Sequence, residues 1–294
     1  MKKFTLFSAM IIVIMLFAFT SCQKDGEFNP QKKISRIFYE RSGSGRYLNQ
    51  TWTWDKNLLS RITDRSGEFM RFEYDKKRVS KMISSDGNTT VKFTYDGSKY
   101  DRIEETYKYS SYGSSVTFYT VYKFSYAGNK VDKITETVTY SVDNIISKGK
   151  IPQKVDKKFN LLQFILAEPM YESIAKFQSK KESKAGPESW TSTYLFTWKG
   201  DNVEKMIMEE TEDGEYYAET YTYTYDKKKN PFYGLFADFM PNSKNNVIKA
   251  IYSDTETGYN ETYANYKYDG NFPTERTQTW MNDTDFFITY YEYE

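Results

Sequence analysis

The stretch FEYDKKRVSKM, residues 72–82, contains the pattern that predicts the fold of this chain. In Phe72-Glu73-Tyr74, aromatic side chains alternate with a charged one, as in a strand whose two faces differ in polarity. The next four residues, Asp75-Lys76-Lys77-Arg78, are polar and suited to a turn. A second apolar and polar run then starts at Val79. The stretch therefore predicts a β-hairpin.

Strict alternation also predicts which way the side chains of the second strand point. It places Val79, Lys81 and Ile83 on one face of the strand. It places Ser80 and Met82 on the opposite face. This assignment follows only from the two-residue period of side chains along a β-strand.

Copies of the same pattern run along the chain. Complete copies lie at residues 52–62, 93–103, 124–134 and 196–206, and partial ones at 34–37, 223–226 and 266–269. One hairpin is marginally stable in water, whereas stacked hairpins can bury a continuous apolar face. The repeat predicts a mainly β fold, in which serial antiparallel hairpins form a curled, barrel-like sheet.

Two segments interrupt the repeat and predict one or two short helices. Asn230-Pro231 can start a helix that continues through Met240, because proline suits the first helical turn. Residues 154–167 carry apolar side chains at roughly helical spacing and stop before Pro169.

The first residues of the chain have the pattern of a secretory signal. Lys2 and Lys3 precede an apolar run that ends at Ser21, and the only cysteine, Cys22, follows it. A small residue before a cysteine resembles the lipobox of bacterial lipoproteins, which implies cleavage before Cys22 and acylation, with palmitate-type chains, of that residue. An ordinary secretory signal or an uncleaved anchor with a chance cysteine is the alternative. No second cysteine exists for a disulfide, which favours acylation.

The residues after Cys22 resemble the surface-export signal of Bacteroidetes-type lipoproteins, a lysine followed by acids. Here these residues are Lys24, Asp25 and Glu27, and Gly26 interrupts the acidic pair. The resemblance implies display on the cell surface. A solvated linker that leaves the protein facing the periplasm is the alternative.

The chain therefore divides into a signal peptide at 1–21, a tether at 22–32 and one β-hairpin-repeat domain at 33–294. The 41 basic and 40 acidic residues nearly balance, and the predicted signal peptide contains only two of them. A surface with so little net charge argues against nucleic acid as a partner. The partner implied by Cys22 is a membrane, reached through its acyl chains.

The chain contains no histidine. This absence removes Ser-His-Asp and Cys-His nucleophile systems and His-ligated metal sites. We therefore expect no enzyme activity, no cofactor and no metal. Glycoside hydrolysis by two carboxylates needs no histidine, and it stays open as a minor alternative.

Aromatic residues make up 18% of the chain, and most of them are expected to build the core. Trp190, Trp198 and Trp280 are the candidates for an exposed binding surface. Aromatic side chains of this kind contact sugar rings and protein partners. We expect a non-catalytic binding or structural module with a glycan or protein ligand. An integral β-barrel pore is the alternative from a different class, because alternating strands suit both.

The Tyr-Asp turns are similar to the YD repeats of Rhs-type shell proteins. The whole set of features resembles a Bacteroidetes-type lipoprotein family of unknown function with a porin-like fold. The resemblance rests on the lipobox, the aromatic Tyr-Asp hairpins, Asn230-Pro231-Phe232 and the later run at residues 243–247. It spans about residues 33 to 290, implies a curled antiparallel sheet and an outer-membrane location, and implies no particular activity.

Overall fold

The computed structural model describes residues 25–111, 114–143, 189–212, 215–235, 243–254 and 258–294. They form sixteen antiparallel strands, each paired with its neighbours along the chain, and β1 pairs with β16 to close a barrel. The strands are β1 (Ile34–Arg41), β2 (Tyr47–Asp55), β3 (Leu58–Asp64), β4 (Phe69–Asp75), β5 (Arg78–Ser84), β6 (Thr89–Asp96), β7 (Lys99–Ser111), β8 (Ser114–Ala127), β9 (Lys130–Asp143), β10 (Ser189–Lys199), β11 (Asn202–Glu212), β12 (Glu215–Lys229), β13 (Asn245–Asp254), β14 (Tyr259–Asp269), β15 (Phe272–Trp280) and β16 (Phe286–Tyr293). The mainly β, serial-hairpin fold predicted from the repeat is confirmed, and the curled sheet closes.

The predicted helix that starts at Asn230 is wrong where the structure describes it. Residues 230–235 form turns, because the Asn230 side chain accepts a hydrogen bond from the Phe232 N–H (3.0 Å) and donates one to Ser243 O (2.9 Å). An asparagine that bonds nearby backbone in this way competes with a helix. Residues 236–240 and the second predicted helix at 154–167 lie outside the described residues.

Two-residue turns join six hairpins at one end of the barrel, which we call the tight-turn end. These turns are 55–58, 75–78, 96–99, 127–130, 199–202 and 269–272. Their first central residue has a positive φ, between 53° and 63°, at Lys56, Lys76, Gly97, Gly128, Gly200 and Gly270. A hairpin turn of the type II′ kind needs this backbone conformation, which matches the twist of the strands. The opposite end, with the described turns 42–46, 65–68, 85–88 and 281–285, is the far end.

A β-bulge follows almost every tight turn, and it corrects the predicted alternation in residues 79–83. Tyr74 pairs with Val79, but Glu73 pairs with Lys81, so the second strand carries one extra residue. Val79 and Met82 are therefore both fully buried instead of lying on opposite faces. The same register shift precedes Trp54, Tyr95, Tyr126, Trp198, Tyr225 and Tyr268.

A ring of aromatic side chains ties each hairpin to the preceding one. The Tyr74 hydroxyl donates to Leu59 O (2.7 Å), and the Trp198 indole donates to Val131 O (2.7 Å). Equivalent bonds start from Trp54, Tyr95, Tyr126, Tyr225, Tyr266 and Tyr293 and end on Ile34, Val79, Tyr100, Val203, Val247 and Pro273. The ring satisfies buried donors and carbonyls together, and it explains why each repeat carries an aromatic residue before its turn.

Candidate functional site

The N-terminal segment, residues 25–33, packs directly against the tight-turn end of the barrel. The Asp25 N–H donates to Ser98 O (2.8 Å), and the Val79 N–H donates to Gly26 O (2.9 Å). The segment therefore starts with backbone hydrogen bonds to two neighbouring hairpins. Residues 25–32 were predicted as part of a tether, and the structure gives them defined positions on the barrel.

Phe28 and Asn29 continue this docking. The Phe28 ring is buried and meets Phe72 and Tyr74 edge-on, with ring centroids 5.8 and 6.0 Å apart. The Asn29 N–H donates to Gly234 O (2.6 Å), in the connection between β12 and β13. An aromatic anchor in the core and hydrogen bonds on both sides hold this segment across the end of the barrel.

Glycine is required where the segment touches the barrel most closely. Gly26 has a φ of +80°, and a Cβ on it would overlap the Tyr95 hydroxyl. A side chain at this position would be strained in its backbone and would also displace the ring of Tyr95.

The Asp25 carboxylate is the most deeply buried polar group of this segment, with 0% of the residue exposed. Its Oδ2 accepts hydrogen bonds from the Tyr100 N–H (2.7 Å) and from the Tyr126 hydroxyl (2.8 Å). Burial raises the pKa of Asp25 to about 6, although these two bonds and the nearby Arg78 and Lys99 oppose the rise.

Arg78 connects the segment to the turns around it. Its Nε donates to Asp25 O (2.8 Å), its Nη1 donates to Gly97 O (2.9 Å), and its guanidinium lies 3.6 Å from the centroid of the Tyr95 ring. Glu27 forms an isolated antiparallel bridge with Arg78. The last residue of the next turn does likewise, since Lys99 Nζ donates to Gly128 O (2.6 Å). A basic residue stands at the fourth position of three of the six tight turns, Arg78, Lys99 and Lys130, and this spacing is a signal that could have indicated such contacts.

The tight-turn end also carries exposed lysines. Lys56, Lys76, Lys77 and Lys227 are exposed, and within the described part of the chain no hydrogen bond or ion pair involves their ammonium groups. Other cations of this end are paired. Lys130 and Lys244 both contact Asp201, at 3.3 and 3.1 Å.

The two faces of the sheet differ sharply in polarity. A large buried cluster of apolar side chains from strands all around the barrel lies on the inward face, and it includes Leu59, Met82 and Val203 at 0% exposure. The outward face carries charge, as at Arg71 and Glu73, which pair with each other at 2.9 Å with side chains 58% and 42% exposed.

The interior towards the far end contains hydrogen-bonded tyrosines and acids. Tyr194 donates to Glu136 (2.8 Å), and Tyr221 donates to Glu219 (2.8 Å). Burial and the neighbouring carboxylates raise the pKa of Tyr194 well above its ordinary value. In the described ranges, no three acidic side chains converge in a way that could hold a metal ion.

The sequence-predicted site residues have separate outcomes. Cys22 and Lys24 lie outside the described residues. Asp25 and Glu27 lie together on the tight-turn end, where Asp25 is bonded to the barrel. The acylation site and the export signal stay predictions, and the structural role of Asp25 is an addition that the local sequence did not indicate.

The three tryptophans are not the exposed aromatic surface. Trp198 belongs to the aromatic ring, Trp190 packs half-buried on a small inner cluster, and Trp280 is half-buried. Among the residues that the structure describes, the most exposed large aromatics are tyrosines, and they lie on strands β8, β12 and β14. They are Tyr119, Tyr216, Tyr259 and Tyr263.

No described segment forms a long apolar helix of the kind that crosses a membrane.

Comparison with known proteins identifies the fold. The sequence matches no family model and no curated protein. The structure is similar to the crystal structure of a porin-like protein from Bacteroides vulgatus, with a TM-score of 0.54 and 10% identity, over 90% of this chain and 99% of that chain. A porin-like protein from Bacteroides uniformis aligns over 89% of this chain and 98% of its own, with 11% identity and a TM-score of 0.45. The likeness to the Bacteroides vulgatus protein shows that the barrel has a porin-like fold.

Proposed function

We propose that this chain is a lipoprotein of the outer membrane, held by acyl chains on Cys22, whose barrel stands in water as a non-catalytic binding or structural module. The lipobox-like residues before Cys22 support the anchor. The fold of a Bacteroides porin-like protein supports the outer-membrane location. The Lys24, Asp25 and Glu27 pattern supports display at the cell surface, with a glycan or protein as the ligand.

The observation that carries the proposal is the charge on the outward face of the barrel. Transmembrane barrels turn apolar side chains to the lipid, and each Arg or Lys near the bilayer midplane costs about 2–4 kcal/mol. Arg61, Arg71, Lys92 and Lys123 are all exposed on the outward face. A barrel with this surface is much more stable in water than in a hydrocarbon layer.

The filled interior argues against a pore in the same way. Porins of sixteen strands leave an aqueous channel inside the barrel. Here apolar side chains are buried inside the barrel near the tight-turn end, and Phe28 and Phe232 add their rings to that core. Phe232 lies between Trp52 and Tyr291, at centroid distances of 6.2 and 6.1 Å.

The test is whether the barrel needs lipid at all. A chain that starts at Gln23 is purified without detergent and compared, by size-exclusion chromatography and circular dichroism, with the same chain in detergent. We expect a soluble, folded β protein in both conditions and no conductance steps in planar bilayers. Precipitation without detergent, together with conductance in bilayers, would establish the pore instead.

The anchor is tested separately in cells. Wild type is expected to incorporate labelled palmitate and to fractionate with the outer membrane, and Cys22→Ser is expected to lose the label. Protease treatment of intact cells then distinguishes surface display from a periplasm-facing anchor, with Lys24→Ala/Asp25→Asn as the export variant. The asparagine retains the hydrogen bonds that Asp25 makes to the barrel.

A further inference from the structure

We infer that the tight-turn end is the surface that rests on the membrane, with its exposed lysines on anionic lipid headgroups, so that the barrel stands end-on and presents the far end outward. This inference rests on the acylation of Cys22 proposed above. It adds an orientation and a headgroup chemistry that acylation alone does not supply.

The short distance along the chain between Cys22 and Asp25 is the first argument. A fully extended chain spans at most about 3.6 Å per residue, so the three residues from Cys22 to Asp25 reach no more than about 11 Å. Asp25 is hydrogen-bonded to Tyr100, Tyr126 and Ser98 of the tight-turn end. Acyl chains on Cys22 therefore bring this end to the bilayer surface. A free tether over residues 22–32 would have left the barrel able to turn in any direction.

The position of both chain ends is consistent with this arrangement. Strand β1 begins and strand β16 ends at the tight-turn end, where the Glu294 N–H donates to Lys33 O (3.0 Å). Lys32 and Lys33 also lie at this end, paired with Asp269 and Glu294. The N-terminal segment thus enters the fold from the side on which the anchor is attached.

The charges of the two ends are the second argument. The tight-turn end exposes Lys56, Lys76, Lys77 and Lys227 without partners in the described part of the chain, alongside exposed Asp55, Asp75 and Asp96. Its other exposed turn acids, Asp201 and Asp269, are paired with lysines. Acidic residues outnumber basic ones at the described far-end turns, with Glu68, Asp86, Asp283, Asp285 and the neighbouring Asp64 against Arg46 and Arg65. Lysines at a negatively charged bilayer surface are attracted to it, and acidic turns are repelled. Both effects favour the same orientation.

A group of lysines beside the acyl chains also orients the protein on the membrane. Acyl chains fix the point of attachment, and a group of lysines near that point fixes the angle at which the protein stands. The attraction is screened within about 8 Å at physiological ionic strength. The lysines therefore act only while the end of the barrel lies at the headgroups.

The orientation can be measured because Cys22 is the only cysteine of the chain. Acylated protein carrying Asn57→Cys at the tight-turn end or Thr284→Cys at the far end is labelled with one fluorophore and reconstituted in vesicles. The vesicles contain phosphatidylcholine with or without phosphatidylglycerol, and a fraction of the lipid bears a nitroxide on its headgroup. Both positions are exposed.

We expect quenching at Asn57→Cys to exceed quenching at Thr284→Cys several-fold. Equal quenching at the two positions, or stronger quenching at Thr284→Cys, would overturn the end-on orientation while leaving the anchor intact. Failure of the wild-type protein to float with vesicles would overturn the anchor and the orientation together, so the two proposals fail by different results.

The contribution of the lysines is tested by a matched pair of variants. Changing Lys56, Lys76, Lys77 and Lys227 to glutamine should remove the extra quenching at position 57 that phosphatidylglycerol produces. Changing four exposed lysines of the barrel wall to glutamine, Lys92, Lys108, Lys123 and Lys133, should leave it unchanged. If both variants reduced this extra quenching equally, the net charge of the protein and not the tight-turn surface would be responsible for it. That result would overturn the contact with headgroups.

Discussion

The tight-turn end repeats one structural unit six times, whereas the described turns of the far end differ in length and are of more than one kind. At the tight-turn end a two-residue turn, a bulge and an aromatic hydrogen bond recur together. At the far end the described turns are four or five residues long, and Asp64 and Asp86 organise two of them by accepting backbone hydrogen bonds. The difference indicates that the tight-turn end stabilises the closed barrel, and that the far end is free to vary in length and sequence.

The largest expected difference in stability between the two ends concerns two leucines, one near each end of the barrel. Leu59 is 0% exposed in the core beside a tight turn, and Leu48 is 39% exposed on β2 near the far end. Leu59→Ala should lower the free energy of unfolding by about 2–5 kcal/mol, because it leaves a cavity. Leu48→Ala should change it by less than about 0.5 kcal/mol. Urea unfolding of both variants measures the difference, and equal losses would contradict it.

Two aspartates give the next largest effect, and their pKa shifts have opposite signs. Burial raises the pKa of Asp25 to about 6, whereas hydrogen bonds from Ser84 and Asn88 lower the pKa of Asp86. A raised folded-state pKa means that the folded protein binds a proton more tightly than the unfolded chain. The stability from Asp25 is therefore complete below pH 3.8 and is lost as the pH rises to about 6.

At about 1.4 kcal/mol per pKa unit, this difference amounts to roughly 2–3 kcal/mol. Asp25→Asn keeps acceptors for Tyr100 and Tyr126 and should remove this fall in stability between pH 4 and 6. Asp86→Asn should have the opposite consequence, because the stability from Asp86 is present above its ordinary pKa and is lost on acidification. Thermal unfolding over pH 3–7 measures both, and a pH profile of Asp25→Asn that parallels wild type would contradict the role of Asp25.

Loss of one hydrogen bond from the ring of aromatic side chains at the tight-turn end should have a smaller effect on stability. Tyr74→Phe removes the hydrogen bond to Leu59 O and keeps the phenyl ring of the side chain. The free energy of unfolding should therefore fall by about 0.5–1.5 kcal/mol. Tyr119→Phe is the matched control near the far end, because Tyr119 is 45% exposed. Its unfolding free energy should equal that of wild type. A loss at Tyr119 as large as at Tyr74 would mean that the ring of hydrogen bonds adds nothing specific to the tight-turn end.

The hairpin repeat could be predicted because its signals are local. Alternation in Phe72-Glu73-Tyr74 and polar residues after it fix a strand and a turn within a few residues of sequence. The bulge was missed because the pairing of Glu73 with Lys81 depends on register between strands. Its trace was nevertheless present, since the core residues Val79 and Met82 are three apart, a spacing that strict alternation does not allow.

The docking of the N-terminal segment could not be predicted in this way. Asp25 bonds to Tyr126, 101 positions along the chain, and Arg78 bonds to Asp25 O across 53 positions. No local pattern connects these residues, and a short acidic run after a cysteine also suits a solvated tether. The close contact between Gly26 and Tyr95 becomes visible only once the barrel has closed.

The smallest effect concerns the backbone of the tight turns themselves. Lys76 has a φ of +57° where Gly97, Gly128, Gly200 and Gly270 occupy the same position in other turns. A β-carbon makes this conformation costly, so Lys76→Gly should raise the free energy of unfolding by about 0.5–1 kcal/mol, after the greater freedom of glycine in the unfolded chain is subtracted. Lys77→Gly is the control, since Lys77 has no positive φ and gains only that freedom; it should destabilise slightly. Both variants remove one exposed lysine, so they have the same net charge. If their urea midpoints moved in the same direction relative to wild type, the turn conformation at Lys76 would contribute no strain.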